Sequence, residues 1–82
     1  MKRLYALSVN PETVDPEGFE IAKAEGLEVK SAWVMRALDE PPVDADELYD
    51  IADALMFCYT SDPAAEIAER HQYAKCDVML WY

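Results

Sequence analysis

The hydrophobic pattern divides the chain into strand-like runs at both ends and helix-like runs between them. Lys2 to Val9 (KRLYALSV) is apolar and aromatic on both faces and ends at Asn10-Pro11, where the chain must turn. It predicts a strand, and a strand apolar on both faces belongs in the middle of a sheet. Asn10 to Asp15 reads as a loop. Asp15-Pro16 then supplies an N-cap followed by proline at the first helical position, opening a short helix carried by Phe19 and Ala22 and ended by Gly26. Gly18, inside that helix, weakens the pattern.

Leu27 to Leu38 (LEVKSAWVMRAL) fits two periods. As a strand it sets Leu27, Val29, Ser31, Trp33 and Met35 against Glu28, Lys30, Ala32, Val34 and Arg36; as a helix it starts at Ser31 and runs to Leu38. Its β-branched and aromatic content favours the strand. Asp39-Glu40-Pro41-Pro42 is a rigid break.

The most strongly patterned segment is Asp44 to Tyr59 (DADELYDIADALMFCY). On a helix, Leu48, Ile51, Ala52, Leu55 and Tyr59 share one side at the spacing of a core-facing stripe. Asp46, Asp50 and Asp53 then share the opposite arc, with Phe57 one turn later. Asp44 stands where an N-cap would, and the acids of the first turn suit the positive end of the helix dipole. Helix formation accounts for Asp44, Asp46 and Glu47, but not for Asp50, Asp53 or an outward Phe57.

Ser61-Asp62-Pro63 repeats the cap-and-proline signal and opens a third helix over Ala64 to Tyr73, with Ala64, Ile67, Ala68 and His71 on one face and an i,i+4 pair, Glu66 and Arg70, on the other. Cys76 to Tyr82 (CDVMLWY) is a second apolar strand, expected to pair with Lys2 to Val9. An uncovered edge of that composition would recruit another chain, so the run is expected to be central or part of a homodimer seam. GFEIAKAEGLEVKSAWVM and AAEIAERHQYAKCDVMLW share Glu-Ile-Ala ahead of an apolar run, which suggests a repeated helix-then-strand unit. The expectation is one α+β domain over residues 1–82, with about three strands, terminal strands paired, two or three helices on one face, and the order β-α-β-α-α-β.

Composition supports a globular domain: 52% of the 82 residues are hydrophobic and 11% aromatic. The charge changes the picture more. Seventeen acidic residues against seven basic give −10. Between Arg36 and Arg70 stand ten acids (Asp39, Glu40, Asp44, Asp46, Glu47, Asp50, Asp53, Asp62, Glu66, Glu69) and no lysine or arginine. Such a field repels phosphate backbones and membranes and speeds encounter with basic partners. The apolar run Leu4 to Val9 falls short of the roughly 7–15 residues of a signal h-region, and no run approaches the ~20 residues of a membrane span. A soluble, cytoplasmic protein is expected, in the host cytoplasm if the gene is viral.

Candidate chemistry is sparse. His71 is the only histidine, and with Cys58 and Cys76 it lacks the paired spacing of zinc sites. The acids of Asp44 to Asp50 lack the glycine and register of a calcium loop. No nucleophile elbow surrounds Ser8, Ser31 or Ser61, and phosphate-cradling loops are absent. No metal, cofactor or catalytic residue is expected. Cys58 and Cys76 read as buried thiols, with a bridge open if Cys58 is exposed.

Residues 19–38 also resemble a helix-turn-helix, with Ala22 at the helix contact and Gly26 at the turn. Its second helix would be Ser31 to Leu38, and its recognition surface would offer Glu28, Lys30 and Arg36 within a chain of net charge −10, too little to neutralise phosphates. The leading expectation uses the acidic ridge instead. Asp46, Asp50 and Asp53, with Glu47 and Tyr49 flanking and Phe57 as an apolar anchor, would bind a basic protein surface built for nucleic acid. Phage-encoded inhibitors of restriction and CRISPR complexes, and acidic antitoxins, are small acidic proteins of this general class; direct nucleic-acid and membrane binding are not expected.

Overall fold

A computed structural model describes residues 2–71 and 77–82 of the chain as a small α+β domain. In chain order the elements are β1 (Arg3–Val9), α1 (Pro11–Val14), α2 (Pro16–Ala24), β2 (Ser31–Leu38), α3 (Ala45–Ile51), β3 (Ala54–Cys58), α4 (Pro63–Arg70) and β4 (Val78–Trp81). The four strands form one mixed sheet in the order β3-β2-β1-β4. β1 and β2 pair antiparallel in the register Leu4↔Ala37, β2 and β3 antiparallel with Trp33↔Met56, and β1 and β4 parallel with Leu4↔Val78.

The capping chemistry works as the sequence predicts. Asp15, Asp44 and Asp62 each accept a backbone N–H of the following turn, from Gly18 at 3.0 Å, Glu47 at 2.8 Å and Ala65 at 3.3 Å. Gly18 has a local reason: a β-carbon there would lie 2.3 Å from the second carboxylate oxygen of Asp15, so glycine lets the cap close. Gly26 takes φ of 80° while its N–H and that of Leu27 bond back to Lys23 O and Ala22 O, both at 3.0 Å, which ends α2. Asn10, expected in a loop, caps the single turn of α1 by accepting the Glu12 N–H at 2.9 Å.

The fold differs from the expected architecture in three ways. There are four strands, because the 44–59 segment is divided between α3 and β3. Helices cover both faces of the sheet. On one face Leu4, Ala6, Trp33, Met35 and Cys58 pack with Ile67 of α4; on the other Tyr5, Leu7 and Val34 pack with Leu48 of α3 and Val14 of α1. The reason is visible in β1 and β2, where Leu4 to Leu7 and Ala32 to Met35 are buried without interruption. Strands apolar on both sides leave ~1.5–3 kcal/mol per large side chain unrealised unless both sides are covered. Finally, β4 pairs with β1 as expected and lies at the edge of the sheet, so of its two expected placements, central or in a homodimer seam, the first is ruled out. The third helix stops at Arg70, with His71 as its half-buried C-cap; Tyr73, where it was expected to end, falls outside the described residues. The order β-α-α-β-α-β-α-β replaces the expected β-α-β-α-α-β.

Candidate functional site

The acidic segment begins with a reciprocal cap on α3. Asp44 accepts the Glu47 N–H at 2.8 Å while the Glu47 carboxylate accepts the Val43 N–H at 2.8 Å. Leu48, fully buried, fixes the helix to β1 and β2. That anchorage turns Asp46, Tyr49 and Asp50 outward, and Tyr49 is 53% exposed. Asp46 and Asp50 are one helical turn apart, as expected.

The ridge ends sooner than the helical pattern predicts. Ala52 leaves the helix with ψ of 136°, and the Arg36 guanidinium donates to Ile51 O at 2.9 Å, placing a cation at the negative end of α3. Asp53 therefore lies beyond the helix, its N–H bonded to Met35 O at 3.0 Å. It shares a hollow of about 240 Å³ with Lys2, Arg36 and Asp39. Phe57 is half-buried on β3, opposite Ala32 of β2, and is not part of an outward helix face. Leu55 and Tyr59, assigned to the helix stripe, lie on β3 and just after it.

The structure brings other residues to α3 instead. A hollow of about 490 Å³ separates it from the β2–α3 connection, with Asp39, Glu40 and Glu47 around it. Val43, at 87% exposure, stands beside them. The sequence signal for this grouping was the run DEPPVDADE itself, in which acids flank a Pro-Pro break.

The second half of the segment holds a different polar arrangement. Glu66 of α4 accepts the Tyr59 N–H at 2.9 Å, the Thr60 N–H at 2.9 Å and the Thr60 hydroxyl at 2.7 Å, and pairs with Arg70 at 3.0 Å. Arg70 also donates to Phe57 O and lies 5.7 Å from the centre of the Tyr59 ring. Burial alone would raise the Glu66 carboxyl, but the Thr60 hydroxyl, the Tyr59 and Thr60 N–H groups and Arg70 outweigh it and hold it below its ordinary value. Cys58, fully buried beneath this group, has its thiol raised by that burial and then by the Glu66 charge, with Arg70 and Ser31 opposing. Its burial removes the condition under which a disulfide was expected; Cys76 falls outside the described residues.

Two further expectations meet their residues here. The second helix of the helix-turn-helix reading is strand β2. Of the two cations of its recognition surface, Lys30 pairs with Glu28 at 3.6 Å and Arg36 donates to Ile51 O. Among the described residues no three His, Cys, Asp or Glu side chains are grouped to hold a metal ion, and no helix is long and apolar enough to cross a membrane. Comparison with protein-family models, with curated proteins and with solved structures finds no match to this chain.

Proposed function

We propose that this is a non-enzymatic binding protein whose acidic surface engages a basic surface on a partner, and that it acts as an inhibitor of a nucleic-acid-handling complex. The observation that carries the reading is the charge distribution around α3. Nine of the ten acids between Arg36 and Arg70 are exposed, all except Glu66. Glu40, Asp46, Asp50 and Asp53 have no ion-pair partner among the described residues. Capping explains Asp44, Glu47 and Asp62, and the clamp on β3 explains Glu66; neither explains those four. A predominantly acidic face at low screening steers a basic partner, and Tyr49 with Val43 supplies the apolar contact that fixes it. Asp46, Asp50 and Tyr49 form its centre, Glu47 and Asp53 its margins, and Phe57 lies apart on β3.

The test is a charge reversal that spares the fold. The immobilised chain is expected to retain a nucleic-acid-binding protein that salt releases and duplex DNA displaces. The triple variant D46K/D50K/D53K should lose that affinity by roughly 10²-fold or more, with unchanged far-UV circular dichroism. A triple variant that binds normally, or recovery of nucleic acid in place of protein, overturns the reading.

A further inference from the structure

The phase of the β1–β4 ladder decides which backbone groups of β4 are free. Leu4 N–H donates to Asp77 O at 2.8 Å in the register Leu4↔Val78, Ala6↔Leu80. Asp77, Met79 and Trp81 therefore turn their N–H and C=O groups toward β1, while Val78, Leu80 and Tyr82 turn theirs out of the sheet. Among the described residues nothing bonds to those outward groups. The run from Val78 to Tyr82 contains no charge, proline or glycine, the devices that ordinarily blunt an edge. Its two aromatic rings are already held: Trp81 meets Tyr5 edge-on at 6.3 Å and Tyr82 meets Trp33 edge-on at 5.4 Å, on opposite faces of the sheet. Tyr82 is nevertheless 89% exposed and Met79 39%.

The geometry points to a second copy of this chain docked on β4, the two β4 strands running antiparallel across a two-fold axis at Leu80 and joining the sheets into one. In that register Leu80 faces its own counterpart and Val78 faces Tyr82 of the other copy, each such pair exchanging two backbone hydrogen bonds. Every outward group of the edge is then satisfied. Met79 faces Trp81 across the seam, so the contact is apolar on both faces. Charge selects the occupant. Of the 17 acids of this chain, ten lie on α3, its flanking loops and α4 and six on or beside α1 and α2; only Asp77 adjoins β4, and its backbone groups turn toward β1, so a basic strand finds little to pair with along Val78 to Tyr82. An uncharged apolar strand fits there, and β4 is itself such a strand. An isologous contact of this kind also closes on itself.

The seam and the acidic face respond oppositely to salt. Two copies of charge −10 repel, so screening strengthens the dimer, whereas it weakens binding of a basic partner. Sedimentation equilibrium of the full chain from 1 to 200 µM (roughly the range that spans weak and tight dimers) is expected to give twice the 9.3 kDa chain mass, the more so at high salt. Met79→Lys and Leu80→Pro are each expected to halve that mass. Proline at Leu80 removes only an outward N–H and leaves the β1 ladder intact. Leu55→Lys, on the opposite edge, should leave the dimer whole. Hydrogen exchange of the unaltered chain should show Val78, Leu80 and Tyr82 amides protected at high concentration and losing protection on dilution. A monomer at every concentration and salt, leaving the edge to another protein's strand or to solvent, overturns the inference. So does a dimer broken by Leu55→Lys but not by Met79→Lys, or exchange at those three amides that ignores concentration.

Discussion

The two edges of the sheet are guarded unequally. On β3, Leu55 and Phe57 direct their backbone groups away from β2; Arg70 has taken Phe57 O and Glu66 the next outward donor, Tyr59 N–H, so the C-terminal half of that edge is covered, while the outward groups of Leu55 have no partner among the described residues. On β4 the outward groups of Val78, Leu80 and Tyr82 have no partner among the described residues. The same helix runs between them: α4 follows β3, crosses one face of the sheet and packs on both edge strands. Its Glu66, in the first turn, and Arg70, in the last, guard the strand it leaves and not the one it approaches. A chain under a general need to avoid edge pairing would blunt both. Interrupting β3 at Phe57 and Tyr59 leaves β4 as the longer open edge, a defined place for pairing, which is what distinguishes a dimer from an aggregate.

The largest effect comes from removing the guard's anchor. Glu66→Ala leaves the Tyr59 and Thr60 donors without their carboxylate and releases Arg70, at about 2–3 kcal/mol. For a chain of this size that lowers the thermal midpoint by roughly 10–20 °C. The acid limb follows from the same group. Because its folded-state pKa lies below the ordinary 4.5, the stability it contributes is present above that value and is lost as pH falls through the folded one. Urea midpoints between pH 6 and 3 should fall for the unaltered chain and run flatter for Glu66→Gln. Parallel curves would mean that the carboxylate charge is not what holds Tyr59.

Arg70→Ala is the next largest and changes association more than stability. Loss of the bond to Phe57 O and of the pair with Glu66 removes about 1 kcal/mol. It also bares the β3 edge. With β4 sealed by two-fold pairing, a second two-fold contact at β3 generates an open row of chains rather than a closed dimer. Light scattering should therefore rise with time and concentration for Arg70→Ala, and the double variant Arg70→Ala/Met79→Lys should stop at a pair. A variant whose mass matches the unaltered chain would show that Arg70 is not the guard.

Much of this could be read from residues, and the failures share a cause. Caps at Asp15, Asp44 and Asp62, the strand character of Ser31 to Leu38, the pairing of the two ends and the Glu66–Arg70 contact all rest on local chemistry that tertiary packing leaves in place. Residues 44–59 carry a helical period throughout, because Leu48, Ile51, Ala52, Leu55 and Tyr59 satisfy the spacing although the last two belong to another element. The run Leu55 to Tyr59 is apolar on every position, and such short runs carry no period of their own. Neither glycine nor proline marks the break at Ala52. What ends α3 is Arg36, fifteen residues away in sequence, bonding Ile51 O. The same distance effect shortened the acidic ridge: Asp46 and Asp50 kept their helical relation, while Asp53 and Phe57 passed to the strand. Glu40 and Val43 were brought in by a connection whose path no period describes.

The smallest effect reads the guard directly, through Cys58. Its thiol lies at the C-terminal end of β3, fully buried, beside the Glu66–Arg70 pair. Alkylation requires the thiolate, and burial holds the thiol above its ordinary 9.0, so labelling is slow at neutral pH and continues to climb beyond pH 9. A group raised in this way contributes stability that is complete below 9.0 and declines as pH rises through its folded value. In a Cys76→Ser background, iodoacetamide labelling of Cys58 should quicken severalfold with Arg70→Ala, because opening the β3 edge admits the reagent and outweighs the further rise of the thiol once the Arg70 cation is gone. Met79→Lys alters only the far edge and should leave the rate unchanged. Equal acceleration by both variants would mean that Cys58 is reached by unfolding of the whole domain, and that the two edges do not open independently.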